Sequence, residues 1–169
     1  MTPNLVLLGP RGSGKTTVGR ELATLRGLPL IDLDAAIVAE AGRSIADIFA
    51  DEGEAGFRRR EADALRVACG QDCILATGGG VIVTPANVEL LRSLACPRVL
   101  LIADAATLHA RIVADAATAA NRPALTSLGG VAEIEHLLSI RRPLYDAVAT
   151  RTIDVSRITP ADAANQITF

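Results

Sequence analysis

A glycine-rich motif near the start of the chain constrains the fold more than any other feature. Residues 9–16 have the sequence GPRGSGKT, which matches G-x-x-x-x-G-K-[ST]. A short apolar run at 4–8 precedes the motif, and a helix is predicted from Lys15 to Arg26. Glycines let backbone N–H groups point into one concavity, and the helix adds its positive N-terminus. This strand, loop and helix predict a site for nucleotide phosphates. The alternative is an ordinary glycine-rich turn.

The motif also assigns individual roles to its polar side chains. Of the 17 basic residues, Lys15 is the only lysine, and it occupies the motif position that bridges the β- and γ-phosphates of ATP. The hydroxyl of Thr16 is expected to bind Mg²⁺. The predicted ATP-binding residues of this segment are Gly12, Ser13, Gly14, Lys15, Thr16 and Thr17.

The rest of the chain alternates predicted strands and helices. Strands are predicted at 4–8, 28–33, 73–77, 98–102 and 152–155, and helices at 15–26, 34–41, 44–49, 54–69, 130–142, from 84, from 104 and after 160. Such alternation is typical of an α/β domain with a parallel sheet. The length of 169 residues predicts a single domain over 1–169, with a substrate-binding helical segment at about 34–60 and a mobile lid at about 115–128.

Composition argues against several other classes of protein. A net charge of −2 and only four aromatic residues give no basic, base-stacking surface, so nucleic acid is not an expected partner. The sequence has no apolar run of the roughly 18–20 residues that cross a bilayer, and no signal-peptide pattern, so a cytoplasmic protein with no membrane partner is expected. The three cysteines form no CxxC pair and are predicted to be reduced and packed.

Two arginines lie on apolar stripes of predicted helices. Arg58 shares a face with Ala62 and Leu65, and Arg141 shares a face with Leu138. Burying a guanidinium without an anion costs on the order of several kcal/mol, so each is expected to face a carboxylate or phosphate. Together they would clamp one substrate carboxylate. The alternative is that each pairs with an acid of the protein or extends to the surface.

Two acidic residues and a glycine run follow predicted strands. Asp32 is a candidate for the Mg²⁺ shell, and Asp34 is a candidate general base for the hydroxyl that is phosphorylated. The alternative for Asp34 is that it caps the next helix. Residues 78–80 are all glycine, which would let a ligand approach the backbone, or would form a plain turn. Arg122 lies in the predicted lid and would supply charge to the transferred phosphoryl group. The alternative is an exposed loop arginine without a role.

Taken together, these residues resemble the shikimate kinase family over nearly the whole chain. The resemblance is carried by LIDLD at 30–34, GRSI at 42–45, IF at 48–49, EGE at 52–54, FR at 57–58, the triple glycine, NRP at 121–123, and Arg141 before PLY at 143–145. This combination is much more specific than the phosphate-binding motif.

The resemblance implies transfer of a phosphoryl group from ATP to the 3-hydroxyl of shikimate, a step toward chorismate and the aromatic amino acids. It implies a three-layer α/β/α kinase fold with a central five-stranded parallel sheet. The substrate residues of the family match Asp34, Arg58, Gly79 and Arg141, with Gly80 beside them, and the lid arginine matches Arg122. The adenine site of the family suggests Arg111 and Pro160.

Three alternatives to a shikimate kinase remain at this stage. A gluconate kinase would also bind a carboxylate and hydroxyls, whereas a nucleoside monophosphate kinase would need a base-recognition site. A non-catalytic ATP-binding regulatory module would not need Asp34, Arg58 and Arg141 together. Arg142 is a second candidate for the carboxylate, although helical phase favours Arg141. The enzyme is expected to be a monomer that uses ATP and Mg²⁺.

Overall fold

A computed structural model describes residues 2–115 and 129–168 of the chain. Within this part, a three-residue 3₁₀ helix at Val81–Val83 accompanies the strands and α-helices. The elements in chain order are β1 (Leu5–Leu8), α1 (Lys15–Arg26), β2 (Leu30–Asp32), α2 (Leu33–Ala41), α3 (Ile45–Ala68), β3 (Ile74–Ala76), α4 (Pro85–Ser93), β4 (Arg98–Ile102), α5 (Ala105–Ala114), α6 (Gly130–Asp146), β5 (Arg151–Asp154) and α7 (Pro160–Gln166).

The five strands form one parallel sheet with the order β2-β3-β1-β4-β5. All four residues of β1 are buried, and they alternate between the two faces of the sheet. Val6 and Leu8 pack with residues of α3 and α4, whereas Leu5 and Leu7 pack with residues of α1 and α7. The predicted three-layer fold with a central five-stranded parallel sheet is therefore confirmed. The carboxyl ends of the strands lie at one edge, where sheets of this kind bind ligands.

The boundary between β2 and α2 differs from the prediction. The strand ends at Asp32 and the helix begins at Leu33, because the Asp32 carboxylate accepts a hydrogen bond from the backbone N–H of Ala35 at 3.2 Å. Asp32 is therefore the residue that caps α2, and the alternative that Asp34 caps it is wrong. Asp34 lies one residue inside the first turn of the helix.

The segments predicted as helices at 44–49 and 54–69 are two parts of α3, separated by a kink at Gly53. Ser44 and Asp47 form a reciprocal capping box at its start. Gly53 has φ 67° and ψ −177°, a conformation that L residues with side chains rarely adopt. Arg58 lies in the second part of this helix, after the kink.

The cysteines lie in one core cluster between the sheet and α3. Cys69 and Cys73 are buried, Cys96 is half-buried, and all three are free thiols, as predicted. Burial raises the pKa of Cys69 and of Cys73 to about 11. No helix among the described residues is long and apolar enough to cross a membrane.

Candidate active site

The phosphate-binding loop connects β1 to α1 at the carboxyl edge of the sheet. Gly9, Gly12 and Gly14 all have positive φ, which the sharp turns of the loop require. The loop also fits closely against its neighbours: a Cβ atom at Gly12 would lie 2.8 Å from the carbonyl oxygen of Leu108 in α5. Because a side chain at this point would meet backbone, the loop conformation depends on glycine.

Lys15 is held inside the loop by carbonyl groups of the loop itself. Its Nζ donates hydrogen bonds to the carbonyl oxygens of Gly9 and Pro10, both at 2.8 Å, and to the hydroxyl of Ser13 at 3.4 Å. The side chain is buried, and these hydrogen bonds orient its ammonium group. Such an ammonium group can exchange carbonyl acceptors for phosphate oxygens.

Thr16 and Asp32 bring a hydroxyl and a carboxylate together beside this loop. Thr16 donates a hydrogen bond from Oγ1 to Oδ2 of Asp32 over 2.5 Å. Mg²⁺ prefers oxygen ligands and is commonly held by one or two protein oxygens together with substrate phosphates. The oxygen pair of Thr16 and Asp32 therefore fits Mg²⁺.

A large cavity of about 1170 Å³ extends from the phosphate-binding loop to α5 and α7. Arg111 lines it, and its guanidinium donates a hydrogen bond to the carbonyl oxygen of Val155 at 2.7 Å. Pro160, the first residue of α7, also lines this cavity. The structure thus brings both residues suggested for the adenine site to the cavity that contains the phosphate-binding loop.

Arg58 lies against Gly80 and is paired with acids of α3. Its guanidinium donates to the Glu61 carboxylate at 2.7 Å and to Glu54 at 3.2 Å, and it lies 5.4 Å from the ring centre of Phe57. Arg58 is 15% exposed and Glu61 only 1%, whereas Glu54 is 63% exposed. Burial lowers the pKa of Arg58, but Glu61 and Glu54 outweigh that effect and raise it overall. The alternative of an internal acid partner therefore holds for Arg58.

Arg141 has a different environment, although it faces the same place. Its Nη1 donates a long hydrogen bond of 3.4 Å to the carbonyl oxygen of Gly79, and within the described residues no carboxylate lies at salt-bridge distance from it. Burial lowers the pKa of Arg141, and the nearby charge of Arg58 also acts in this direction. The neighbouring Arg142 turns away and pairs with Asp146. Helical phase therefore predicted correctly that Arg141, and not Arg142, points inward.

Arg58 and Arg141 converge on a second, small cavity of about 60 Å³, lined also by Phe49, Phe57 and Glu61. The triple glycine forms one wall. A Cβ atom at Gly80 would lie 2.5 Å from Nη1 of Arg58, and one at Gly78 would lie 3.0 Å from Oδ1 of Asp34.

Asp34 lines both cavities. The other residues that the two cavities share are Arg11, Ile45 and Gly79. The structure thus places a carboxylate between a phosphate-binding loop and a pair of guanidinium groups.

Sequence reasoning missed three side chains of this site. Glu61 is one turn after Arg58 on the same helix, so its spacing was a usable signal for an ion pair. Tyr145 donates a hydrogen bond to Gly79, a contact that no local pattern predicts. Arg11 lines both cavities from the variable part of the phosphate-binding motif. Arg122, the predicted lid arginine, lies outside the described residues, as do residues 116–128 of the predicted lid.

Comparison with known proteins agrees with this geometry. A family model described as shikimate kinase matches residues 11–168. Shikimate kinase from Halorhodospira halophila is 45% identical over 157 residues, covering 92% of this chain and 86% of that protein. The structure of shikimate kinase from Acinetobacter baumannii in complex with shikimate superposes with a TM-score of 0.89 at 38% identity, covering 98% of this chain and 90% of that one.

A more distant solved structure shares the fold alone. It is a gluconokinase from Sinorhizobium meliloti, which is 18% identical with a TM-score of 0.59 and covers 98% of this chain and 89% of its own. The difference in identity and in TM-score separates this neighbour from the shikimate kinases. The chain belongs to the shikimate kinase family.

Proposed function

We propose that this protein transfers the γ-phosphoryl group of ATP to the 3-hydroxyl of shikimate, giving shikimate 3-phosphate and ADP. The observation that carries the proposal is the position of Asp34, which lines both of two adjoining cavities. One cavity contains Lys15 and the phosphate-binding loop, and the other contains the guanidinium groups of Arg58 and Arg141. A donor phosphate and an acidic acceptor would meet at this carboxylate.

The cavity around the phosphate-binding loop, which is the nucleotide side of the site, binds and orients ATP. Backbone N–H groups of the loop, from Gly12 to Lys15, would surround the phosphates, with Thr17 at the mouth of the cavity. The ammonium group of Lys15 would exchange the carbonyls of Gly9 and Pro10 for β- and γ-phosphate oxygens. The adenine would lie between Arg111 and Pro160, which line the far end of this cavity.

A magnesium ion completes the nucleotide side in this proposal. Thr16 and Asp32 would hold it through their oxygen atoms, which already form a hydrogen-bonded pair. When bound with ATP, Mg²⁺ neutralises charge on the β- and γ-phosphate oxygens. Asp32 would keep its second oxygen on the N-terminus of α2, so its orientation is fixed by the helix.

The small cavity of Arg58 and Arg141, which is the acid side of the site, recognises the carboxylate of shikimate. Of the two guanidinium groups at the small cavity, Arg141 is the one without a carboxylate partner among the described residues, so it gains more from an anion. Arg58 would be the second clamp, held in place by Glu61. This small cavity shares Arg11, Asp34 and Gly79 with the larger cavity, so the acid would lie next to the phosphate-binding loop.

Asp34 would act as the general base. Its carboxylate would accept the proton of the 3-hydroxyl as that oxygen attacks the γ-phosphorus, and the bond to the β,γ-bridging oxygen breaks to release ADP. Gly79 and Gly80 let the substrate approach the backbone beside this carboxylate. We also propose that Arg122 and the segment 115–128 close over the phosphates, and that the enzyme is a monomeric, cytoplasmic protein.

An ADP-release assay with shikimate, gluconate and AMP as separate acceptors tests the proposal. We expect turnover with shikimate alone, and ³¹P NMR of the product should show a phosphate ester on the 3-oxygen. Turnover with gluconate but not shikimate would favour the gluconate kinase alternative. ATP binding without turnover of any acceptor would favour a regulatory module.

A further inference from the structure

Tyr145 is buried next to the glycine segment at 78–80, without lining the small cavity of Arg58 and Arg141. The side chain is 1% exposed, and it lies one helical turn after Arg141 on α6. Its hydroxyl donates a hydrogen bond of 2.5 Å to the carbonyl oxygen of Gly79. Burial raises the pKa of Tyr145, so the hydroxyl remains a donor through the neutral and mildly alkaline range.

The acceptor of this bond lies where three parts of the site meet. The Gly79 carbonyl receives both Tyr145 at 2.5 Å and Arg141 at 3.4 Å. The same residue packs on the phosphate-binding loop, because a Cβ atom at Gly79 would lie 3.0 Å from the backbone nitrogen of Arg11. Gly79 thus contacts α6 through its carbonyl oxygen and the phosphate-binding loop through its Cα side, and it lies in the glycine segment at 78–80.

The two donors to this carbonyl differ in what substrate binding does to them. The Arg141 bond is long, and in the proposed function its guanidinium turns to the substrate carboxylate. The Tyr145 bond is short, and its buried hydroxyl faces backbone rather than either cavity in which the substrates are proposed to bind. Of these two described donors, the tyrosine is the one that can hold Gly79 throughout the binding of the acid.

We propose that Tyr145 is a positioning residue that fixes the Gly79–Gly80 backbone against the phosphate-binding loop and so leaves Arg141 available to the substrate carboxylate. The proposal rests on the proposed function for its effect on shikimate. In a variant without the hydroxyl, Arg141 would be the remaining described donor to this carbonyl, and the acid would compete with the carbonyl for the arginine. The glycine segment would also lose its anchor.

The variant Tyr145→Phe tests this role, because it removes the hydroxyl and keeps the ring in the core. We expect the KM for shikimate to rise by about threefold to thirtyfold, as for loss of a hydrogen bond, with the KM for ATP within about twofold of wild type. Hydrogen–deuterium exchange should become faster in the peptide that covers 77–84. This second readout needs no turnover.

Val148→Ala is the matched control. Val148 is buried just beyond the same end of α6, so its truncation weakens packing without touching the glycine segment. The control should lower the melting temperature, yet keep the wild-type KM for shikimate and the wild-type exchange at 77–84. Equal changes in both variants would overturn the proposal, since a general loss of stability would then explain them.

The two readouts must change together in Tyr145→Phe. Wild-type KM for shikimate, or wild-type exchange at 77–84, overturns the positioning role in either case. If the wild-type protein fails to phosphorylate shikimate, the proposed function fails instead. The exchange measurement would then still report whether Tyr145 holds the glycine segment.

Discussion

The nucleotide side and the acid side of the site are assembled in different ways. The phosphate-binding loop is contiguous, and Lys15 reaches acceptors only five and six residues earlier in the chain. The acid side joins α2, α3, the glycine segment and α6, and the bond from Arg141 to Gly79 spans 62 positions. A short segment can therefore form most of the first side, whereas the second exists only in the folded domain.

The two guanidinium groups of the acid side differ in how their positive charges are balanced. Arg58 is largely compensated by the buried carboxylate of Glu61, while Arg141 has only a long bond to a carbonyl among the described residues. Recognition of the substrate acid should therefore depend more on Arg141 than on Arg58.

The largest expected effect comes from Asp34, where the two sides meet. Asp34→Asn removes the proposed base while keeping its shape, so kcat should fall by about 10²- to 10⁴-fold. The affinity for ATP should stay within about twofold, since Asp34 is not proposed to bind phosphate. Steady-state kinetics and a nucleotide-binding titration measure the two quantities. Asp63→Asn, at an exposed carboxylate of α3, is the control. An unchanged kcat in Asp34→Asn would exclude Asp34 from the chemistry.

The adjacent arginines of α6 provide the sharpest test of the acid side. Arg141→Ala should raise the KM for shikimate by about tenfold to a hundredfold, because a charge-assisted hydrogen bond to the carboxylate is lost. Arg142→Ala is the matched control, since Arg142 is 47% exposed and pairs with Asp146 on the outer face. Its KM should stay within about twofold. A larger effect in Arg142→Ala than in Arg141→Ala would show that Arg142, and not Arg141, binds the carboxylate.

A moderate effect is expected from the two acids that pair with Arg58. Glu61→Gln should raise the KM for shikimate by about threefold to tenfold, because the buried guanidinium loses its main anchor. Glu54→Gln should change it by less than about twofold, since that pair is exposed to solvent. The KM for ATP should be unaffected in both. Equal effects would show that burial does not distinguish the two pairs.

The smallest expected effect lies in the core beneath α3 and appears only at alkaline pH. Burial raises the pKa of Cys73 from its usual value of 9.0 to about 11. Between these values the folded protein keeps a proton that the unfolded chain releases. The free energy of unfolding should therefore fall as the pH rises from 9 to 11.

Urea unfolding across this range can isolate the contribution of one thiol. In Cys73→Ala the decline in stability from pH 9 to 11 should be shallower than in wild type, because one such proton is no longer involved. Val81→Ala, another truncation in the same core cluster, is the control and should keep the wild-type slope. Parallel slopes for wild type and Cys73→Ala would contradict this linkage.

Much of the fold was predictable because its signals are local. The alternation of buried strands with helices gave the five-stranded parallel sheet, and the pairing of Ser44 with Asp47 marked the start of α3 correctly. The boundary at Asp32 was missed because strand and cap overlap in one residue, whose side chain serves both Thr16 and the N-terminus of α2. Strand and helix propensities describe each residue separately, so they do not predict that one side chain bonds both to Thr16 and to the N-terminus of a helix.

The sequence by itself determined the phosphate-binding loop, the layered α/β fold and the inward phase of Arg58 and Arg141. These follow from spacing within single segments, since a glycine-rich loop and the apolar stripe of a helix depend on residues that are close together in the sequence. Only the tertiary structure decided that Glu61 compensates Arg58, that Arg141 lacks such a partner among the described residues, and that Tyr145 holds Gly79. The physical reason is that burial and charge balance depend on which distant segments pack together, and side-chain contacts across 62 or 66 positions leave no local pattern.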